Sequence, residues 1–423
     1  MFGIMTVVLV GVAHANEISI NGYFKNYSVM YHFPNVVAGT TVLDSLIGPY
    51  SDSPPLGWVN NRLRLNLGWR LSDRVSLDAS YDIAGRVQDP ALTVGDLLWG
   101  QGLNALPYRI DDFDQRLYPD IEETATSFGL YHNLDRLYLS LAARWFDFYA
   151  GRQAIAWGAA RTVNPTDIVA PFAYSQLDTE DRLGVDAVRV RVPLDFMAEI
   201  DAGAVLGDNA EHINNAYYLR GKFYLSGNDI SMVAAAYRGN IMIGGDWARS
   251  IGGAGFWLET AFTRTSVYGD DTTGGDEYLR LATGLDYQLT SRLYGFCEYH
   301  YNGPGVAEPD EYATILARPA YREGGVYLLG KHYVIPGVSY QLTPLITVSG
   351  ETLVNLTDPS TYIAATGEHN IAENIYLSAG FYLSAGQGPT LDEAAEEPIR
   401  AANFESEFGT YPDIVYASFR IYF

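Results

Sequence analysis

The chain has 423 residues, of which 48% are hydrophobic and 13% aromatic, and its formal net charge is −23. The aromatic content excludes a disordered chain, and the strong negative charge excludes a nucleic-acid partner, because phosphate binding needs a basic surface. The single cysteine, Cys297, excludes a disulfide scaffold, a CxxC zinc site and a c-type haem attachment motif. No apolar run reaches 18 residues, which excludes a membrane protein built from several spanning helices.

The N-terminus predicts export. An apolar stretch from Met5 to Val12 is followed by Ala13-His14-Ala15, and small residues in those positions are typical of a signal-peptide cleavage site. We therefore predict a signal peptide at residues 1–15 and one mature unit at residues 16–423. The first predicted strand begins near Ile18, so we expect no plug domain before it.

Alternation of apolar and polar residues runs through most of the chain. From Val59 to Leu71 the odd positions are mostly apolar and the even positions mostly polar, and the same pattern resumes at Val75 after a Ser72-Asp73 turn. In a strand these two sets face opposite sides, so the pattern predicts a β-hairpin. The predicted strands cover residues 18–33, 59–71, 75–83, 134–144, 146–157, 184–192, 195–206, 216–226, 229–239, 240–250, 252–265, 277–289, 292–302, 328–342, 345–356, 360–370, 374–385 and 413–423.

This pattern favours an all-β fold: a transmembrane antiparallel up-and-down β-barrel of about 18 strands (16–18), with short periplasmic turns and long acidic outer loops. The alternative is a soluble sheet with one face on a core, but that core would need a second sheet or helices, and helical spacing is nearly absent. A barrel of this size leaves an aqueous channel. We expect it in the Gram-negative outer membrane, with outer-membrane lipid and the barrel-assembly machinery as partners, and a homo-oligomer is compatible with this class.

The negative charge is concentrated in the predicted loops. Together these loops hold −23, the whole formal charge of the chain, so the barrel body is close to neutral. Acidic loops at a pore mouth attract cations within a Debye length of roughly 8 Å, although plain solvation or bridging by divalent ions would explain them equally well. The acidic loops are residues 34–57, 87–133, 158–183, 207–215, 266–277, 303–326 and 386–412.

Charged residues in the strands share the parity that faces away from lipid. An arginine at the bilayer midplane costs roughly 2–4 kcal/mol, so these residues are expected to line a wet lumen. They either pair across neighbouring strands or leave an unpaired subset whose field selects solutes by charge. The pore-lining candidates are Arg62, Arg64, Arg70, Asp78, Asp82, Arg189, Arg191, Glu199, Asp201, Arg220, Lys222, Arg280, Asp286 and Glu351.

No catalytic motif stands out in the sequence. HExxH, GxSxG, a P-loop and paired CxxC are all absent, and the seven histidines are scattered without metal-ligand spacing. We therefore expect no catalytic residue, no metal site, no cofactor and no enzymatic activity. A barrel enzyme with a Ser–His pair at the lipid-facing rim stays open as an alternative.

The most distinctive segment begins at Gly151-Arg152-Gln153 and continues through Trp157-Gly158, Arg161, Asn164-Pro165 and Asp167. Over about 25 residues it resembles the GRQ…WG…NP.D segment of uncharacterised Gram-negative porin-like outer-membrane barrels, including alginate-export-type proteins. The resemblance implies an outer-membrane channel. Because many porins fold the loop after the third hairpin into the lumen, it also makes Arg161, Asn164 and Asp167 candidates for a pore constriction. Arg152 has lipid-facing parity in a regular strand, so we expect a bulge or a position at the membrane interface.

The C-terminal strand adds a second resemblance. Val415, Ala417, Phe419, Ile421 and Phe423 share one face and the chain ends in phenylalanine. This is similar to the C-terminal assembly signal of Gram-negative outer-membrane barrels, which implies that role for Phe419, Ile421 and Phe423.

These features together predict a porin-like channel for passive diffusion of small hydrophilic solutes or ions. One alternative is a barrel that serves as a conduit or scaffold, for polysaccharide export or for a periplasmic partner such as a cytochrome. An outer-membrane enzyme is the other alternative.

Overall fold

A computed structural model describes residues 17–34, 55–93, 108–112, 116–120, 127–172, 174, 176–194, 197–269, 275–391 and 402–423. The predicted signal peptide and parts of the predicted outer loops lie outside these residues.

Eighteen strands of the described chain form one closed antiparallel barrel, as the alternation predicts. Their bounds are β1 Glu17–His32, β2 Leu56–Arg70, β3 Val75–Gln88, β4 Phe128–Ala142, β5 Asp147–Gln153, β6 Val185–Leu194, β7 Ala198–Leu206, β8 Ala216–Leu225, β9 Asn228–Tyr237, β10 Asn240–Ile251, β11 Ala254–Arg264, β12 Glu277–Gln288, β13 Leu293–Asn302, β14 His332–Thr343, β15 Ile346–Asn355, β16 Ser360–Ala372, β17 Ile375–Ala385 and β18 Asp413–Tyr422.

Closure comes from the two ends of the chain. Each strand pairs with its neighbours in sequence, and β18 pairs with both β17 and β1, with Tyr23 opposite Tyr422 and His32 opposite Asp413. A closed barrel leaves no free strand edge, so every strand of the ring is hydrogen-bonded to a neighbour on both sides. Among the described residues, three short strands lie outside this ring: Arg116–Tyr118, which extends the sheet beside β4, and Thr390–Leu391 and Ala402–Asn403, which pair with each other.

The outward face of the barrel is apolar. Leu63, Leu65 and Leu67 of β2 are 37%, 46% and 36% exposed, whereas Arg64 on the other face is 3% exposed. This reverses the usual pattern of a soluble protein, because the solvent of the outer face is hydrocarbon. The period-two alternation therefore reports lipid on one side and the barrel interior on the other.

The two ends of the barrel differ. At the periplasmic end the turns are short, with Ser226-Gly227 between β8 and β9 and Gly252-Gly253 between β10 and β11. At the outer end most connections are long, but Arg238-Gly239 between β9 and β10 is as tight as a periplasmic turn. The asymmetry is the one that transmembrane barrels share.

Helices in the described residues are short and lie in the outer loops. They are Pro90–Thr93, Asp208–Ala210, His212–Asn214, Pro309–Glu311, Tyr312–Ile315, Pro319–Arg322 and Phe408–Thr410. None of the helices in the described ranges has the length and apolar character needed to cross a membrane.

Several predicted strand bounds are wrong. β3 continues to Gln88 and does not end at residue 83, β4 begins at Phe128 and not at residue 134, and β14 begins at His332 and not at residue 328. β5 ends at Gln153, not at residue 157, since Gly151 has φ +119° and the chain leaves the wall just beyond it. The predicted strands 184–192 and 195–206 leave Pro193 and Leu194 for the turn between them, but both residues belong to β6, where Pro193 lies opposite Glu199. A proline near the end of a strand removes only one hydrogen-bond donor from the ladder, so a proline at this position can belong to the strand and need not mark the turn.

The packed core lies inside the barrel, where outer loops fold back onto the wall. Trp157 and Tyr218 are both buried, with ring centroids 4.8 Å apart. Near the outer mouth, Tyr333, Tyr362 and Phe408 form a second buried aromatic cluster. These loops therefore occupy part of the lumen.

Candidate functional site: a loop across the barrel lumen

The third outer connection, residues 154–184 and here named loop 3, runs into the lumen. It leaves β5 after Gln153 and returns to the wall at Gly184, immediately before β6. Gly184 approaches the β4 backbone so closely that an added Cβ would lie 1.8 Å from the Asp135 carbonyl oxygen. Between these two points, loop 3 makes contacts with distant parts of the wall.

The first anchor of loop 3 is Glu259 of β11, which is fully buried. Its carboxylate accepts hydrogen bonds from the backbone N–H groups of Ala159 (2.8 Å), Ala160 (2.9 Å) and Thr166 (2.8 Å) and from the Thr166 hydroxyl (2.8 Å). Gly158 precedes this contact with φ +103°, and a Cβ there would lie 2.7 Å from the Glu259 carboxylate. The glycine therefore lets the loop backbone come this close.

The second anchor is Glu298 of β13, also fully buried. It accepts hydrogen bonds from the backbone N–H groups of Arg161 (2.7 Å), Thr162 (3.3 Å) and Val163 (3.2 Å), and from Trp257 Nε1 (2.9 Å). A buried carboxylate is tolerated when donors satisfy it, so each anchor exchanges hydration for a set of loop amides.

The far part of loop 3 carries an acidic segment, Asp178–Asp181, that contacts the opposite wall. Lys25 Nζ lies 2.9 Å from Asp178 and 2.8 Å from Glu180, and Arg62 lies 3.5 Å from Asp178. Lys25 itself is fully buried. These charges are removed from bulk water and satisfied by each other.

Neighbouring side chains extend the same contact. Asp181 accepts a hydrogen bond from the Tyr23 hydroxyl (2.8 Å) and lies 3.9 Å from Arg64. Glu180 pairs with Arg420 of β18 and accepts a hydrogen bond from the Tyr422 hydroxyl. Although burial raises the pKa of Glu180, the bonds from Lys25 and Tyr422 outweigh it and lower that pKa below its ordinary value. We name Lys25, Arg62, Arg64 and Arg420 the basic wall.

These contacts show that loop 3 crosses the lumen. It is held to β11 and β13 by the two anchors and to β1, β2 and β18 by the basic wall. The two sets of strands lie far apart around the 18-strand ring. The open cross-section of the barrel is therefore reduced by a segment fixed at both sides.

Loop 3 also has an internal ion pair. Asp167 is 1% exposed and lies 2.6 Å from Arg182 Nη1, and it accepts a hydrogen bond from the Ala170 N–H at 3.3 Å. Burial raises the pKa of Asp167 to about 6 in spite of the Arg182 guanidinium. Asp167 thus stabilises the conformation of loop 3, and its carboxyl group is engaged by Arg182 and Ala170 and does not face solutes in the lumen.

The other two constriction candidates have different surroundings. The Arg161 side chain is 54% exposed, donates from Nη2 to Asp286 at 2.8 Å, and lies over the Trp257 ring at 5.2 Å. Asn164 lies beside Gly158, and with Arg161 and Asp167 it lines one cavity. All three candidates are therefore on the part of loop 3 that is inside the barrel.

Most pore-lining candidates are paired across strands. The pairs are Arg62–Asp82 at 2.9 Å, Arg64–Asp82 at 3.4 Å, Arg189–Asp201, Arg191–Glu199, Arg220–Asp246 at 3.4 Å and Arg161–Asp286 at 2.8 Å. The remaining candidates differ. Arg70 is at the periplasmic rim, where its exposed side chain lies 3.2 Å from Glu17, while Asp78 lines a second cavity below loop 3 and Lys222 lies opposite Glu199.

Arg280 and Glu351 form no ion pair with any described residue. Both line the cavity that loop 3 bounds.

Arg152 has no bulge beside it. The ladder of β5 with β4 runs without a shift to Arg152, and its ladder with β6 runs without a shift to Gln153. Arg152 is 7% exposed and donates hydrogen bonds to Asp186 (2.8 Å) and Asp112 (2.9 Å), so acids next to the strand end satisfy it. The register shift of this region lies between β3 and β4, where Asp135 of β4 has no partner residue in β3. The Asp135 carboxylate lies 2.6 Å from the Arg64 guanidinium.

The two anchors, the acidic segment, Lys25 and Arg420 are not among the predicted site residues. The sequence does indicate the orientation of Glu259, because alternate residues of a strand face the same side and Glu259 alternates with the lumen-facing Trp257 and Ala261. No local pattern, however, shows that Glu259 meets an amide 100 positions away or that Glu298 meets one 137 positions away.

The outer mouth contains a buried polar cluster. Glu407 accepts hydrogen bonds from Leu329 N–H (3.0 Å), the Tyr333 hydroxyl (2.5 Å) and Asn355 Nδ2 (2.9 Å), while Asp358 accepts one from the Glu407 N–H (2.9 Å). Burial raises the pKa of Glu407 to about 7. This cluster joins three outer connections, and we name it the mouth cluster.

The C-terminal residues complete the barrel wall. Phe423 donates its N–H to the Gly22 carbonyl at 3.0 Å, and the Gly22 N–H donates to the Phe423 carbonyl at 2.8 Å. Phe419, Ile421 and Phe423 alternate with Arg420 and Tyr422, which face loop 3. The predicted assembly residues thus lie on the outward face of the closing strand.

Comparison with solved structures supports the fold. OccAB4 of Acinetobacter baumannii matches with a TM-score of 0.55 and 8% identity, over 96% of this chain and 98% of that one. OccD3 of Pseudomonas aeruginosa matches with a TM-score of 0.54 and 9% identity, over 96% and 91%. OccK8 of the same organism matches with a TM-score of 0.54 and 8% identity, over 96% and 98%. No protein-family model and no curated protein matches the sequence.

The likeness extends over almost the whole length of each chain. Together with the apolar outer face, it shows a barrel whose wall faces membrane lipid. The chain has the porin-like β-barrel fold of Gram-negative outer-membrane proteins.

Proposed function

We propose that the chain is a porin-like channel for passive diffusion of small hydrophilic solutes or ions. The observation that carries the proposal is the path of loop 3, which narrows the lumen and is fixed to both sides of the wall. Barrels of 16–18 strands leave an aqueous channel, and a loop fixed inside one sets its narrowest width.

The lining of this passage is polar and contains charges of both signs. Arg161 exposes its guanidinium beside the loop, and Glu351 lies on the facing wall. Because most lumen charges, Arg161 among them, are paired, Arg280 and Glu351, which form no ion pair with a described residue, dominate the local field. We expect selection by size first and by charge second.

Neither alternative function is favoured by a specific feature of the described residues. A conduit for a folded partner or a thick polymer needs an open lumen, and loop 3 crosses it. An outer-membrane enzyme needs a nucleophile beside a base, whereas the buried carboxylates of Glu259 and Glu298 are engaged by loop amides. Interaction with the barrel-assembly machinery and association into a homo-oligomer stay predictions.

Liposome swelling with solutes of increasing size tests this function. We expect purified protein to admit small sugars, amino acids and inorganic anions at rates that fall steeply with solute size. Heat-denatured protein in the same lipid is the control. Rates no higher than those of the control for every solute would contradict the proposal.

A further inference from the structure

Three polar side chains face outward on the neighbouring strands β1 and β2. Asn26 follows the buried, inward-facing Lys25, Ser28 is two residues further along β1, and Asn61 of β2 is two residues before the outward-facing Leu63. Alternate residues of a strand face the same side, and all three side chains are partly exposed. We name Asn26, Ser28 and Asn61 the polar patch.

The polar patch lies within the lipid-facing part of the wall. Asn26 is opposite Phe419 of β18. Apolar outward-facing residues flank it in both directions along the barrel: Phe24 on the periplasmic side, and Met30 and Val415, which are 50% and 54% exposed, on the outer side. Hydrocarbon offers no hydrogen-bond partner at this depth, so a polar group left unsatisfied there is costly.

The side chains of the polar patch form a short hydrogen-bonded line that is open at both ends. Ser28 Oγ donates to Asn26 Oδ1 at 3.5 Å, and Asn26 Nδ2 donates to Asn61 Oδ1 at 2.8 Å. Within the described chain, Asn61 Nδ2 has no acceptor and Ser28 Oγ has no donor. The line therefore ends in a free donor on β2 and a free acceptor on β1.

Lipid-facing hydroxyl groups on the far side of the barrel are satisfied by the barrel itself. Thr260 Oγ1 donates to the Arg280 carbonyl at 3.3 Å, and Thr283 Oγ1 donates to the Trp257 carbonyl at 3.0 Å. These two threonines need no partner from outside the barrel. The polar patch differs from them because its two ends stay open.

The wall beside the polar patch carries small residues. Gly85 of β3 is opposite Asn61, and Ala417 of β18 is opposite Ser28. An added Cβ at Gly85 would meet only Phe128, at 3.9 Å, so packing inside the barrel does not require a glycine there. In lipid, small residues let two protein surfaces approach closely, and polar side chains then bond across the contact.

We propose that the polar patch is the contact surface between copies of this chain in the membrane. Copies related by a symmetry axis normal to the membrane bring the donor end of one patch to the acceptor end of the next. Asn61 Nδ2 of one copy then donates to Ser28 Oγ of its neighbour, and Gly85 and Ala417 let the two walls approach. Assembly through this patch does not depend on whether the barrel conducts.

The double variant Asn26→Leu, Asn61→Leu tests the polar contacts. Light scattering of the purified full chain over a dilution series in detergent gives the dissociation constant of the oligomer. We expect the wild type to associate and the double variant to raise the dissociation constant at least tenfold, about 1.4 kcal/mol. The barrel should stay folded, because both bonding partners become apolar on a lipid-facing surface, and heat-modifiable gel mobility checks this.

The matched control for the double variant is Thr260→Leu, Thr283→Leu, which removes two lipid-facing polar groups from the other side of the barrel. Its dissociation constant should equal that of the wild type. A wild-type oligomer that both double variants weaken equally, or that neither weakens, would overturn the proposal.

Gly85→Leu tests the close approach of the walls without changing a polar group. The added side chain points into lipid, so we expect a folded barrel whose dissociation constant is raised at least tenfold. Gly295→Leu is the control, because Gly295 of β13 alternates with the exposed Cys297 and an added Cβ there makes only ordinary contacts, at 3.5 Å and beyond. Equal dissociation constants for the two glycine variants would contradict the assigned contact surface.

Cross-linking in membranes tests the same surface without detergent. The single cysteine of the chain, Cys297, lies on β13, far from the polar patch around the ring. We expect Ser28→Cys combined with Cys297→Ser to give a covalent dimer with a copper–phenanthroline oxidant, and the wild type to give none. A wild type that is monomeric in detergent, combined with no dimer through position 28 in membranes, would overturn the proposal. So would a cross-link from position 28 to a different protein alone.

Discussion

Two buried glutamates, Glu259 and Glu298, hold loop 3 inside the lumen. The strands that precede and follow the loop, β5 and β6, lie in the barrel wall. Each carboxylate replaces its hydration by three backbone N–H groups and one side-chain donor. Hydrogen bonds to a charged group contribute about 1.5–3 kcal/mol each, so these single residues decide where the loop lies.

Replacing Glu298 by glutamine should loosen the loop. The amide retains one acceptor oxygen but points an NH₂ group at N–H donors of Arg161–Val163. We expect a lower unfolding free energy by about 2–4 kcal/mol, measured by urea unfolding in lipid vesicles, and a larger, noisier single-channel conductance. Glu199→Gln is the control, because Glu199 pairs with Arg191 away from loop 3. Unchanged conductance of Glu298→Gln would contradict the anchoring role.

Glu407 gives the mouth cluster a pH dependence. Its pKa is raised to about 7 by burial, from an ordinary value of 4.5, so the folded loops favour the protonated form. The stabilisation is present below pH 4.5 and is lost as the pH rises through 7, with a total of at most about 3 kcal/mol.

We therefore expect wild-type protein to be more resistant to heat and to proteolysis of its outer loops at pH 5 than at pH 8. Glu407→Gln imitates the protonated side chain and should flatten this difference. Glu405→Gln, an exposed neighbour in the same loop, should leave it unchanged. The role assigned to Glu407 is refuted if Glu407→Gln retains the full wild-type pH dependence.

At the scale of elements, loop 3 neutralises the basic wall. Asp178, Glu180 and Asp181 lie within ion-pair distance of Lys25, Arg62, Arg64 and Arg420. Reversing Arg62 or Arg64 would break buried pairs with Asp82 and Asp135, so the loop residues are the cleaner place to change the charge.

The triple variant Asp178→Asn, Glu180→Gln, Asp181→Asn should shift ion selectivity towards anions, because Lys25 loses both of its carboxylate partners and Arg62, Arg64 and Arg420 each lose one. The reversal potential in a salt gradient measures it. A control with three neutralised acids in the outer loops, Asp208→Asn, Glu211→Gln and Glu308→Gln, changes the net charge equally but should shift the potential far less. Equal shifts would show that the basic wall does not face the ion path.

The strands could be predicted from sequence and the course of loop 3 only in part. Alternation predicts strands because lipid and water act on successive side chains, as for Leu63 and Arg64 of β2. The Gly151–Asp167 segment indicated an inward loop through its resemblance. The contacts that fix it could not be predicted, since Glu298 and Arg161 are 137 positions apart and only barrel closure brings them together.

At the scale of the whole molecule, Phe423 extends the ladder by which β18 closes the barrel on β1. Phe423 makes two backbone hydrogen bonds to Gly22, and its ring covers that glycine. Deleting Phe423 should lower the amount of folded barrel in the outer membrane without preventing export, measured by heat-modifiable mobility on gels. Phe423→Tyr keeps the backbone pair and the ring and should assemble normally. Wild-type membrane levels of the deletion would rule out the assembly role.

The central claim is that the closed barrel encloses a continuous aqueous path past loop 3. Single-channel recording of the purified protein in planar lipid bilayers tests it most directly. The account predicts a stable current that rises linearly with voltage and increases with salt concentration. A correctly folded barrel, inserted in the bilayer, that carries no current above that of the bare lipid would contradict it.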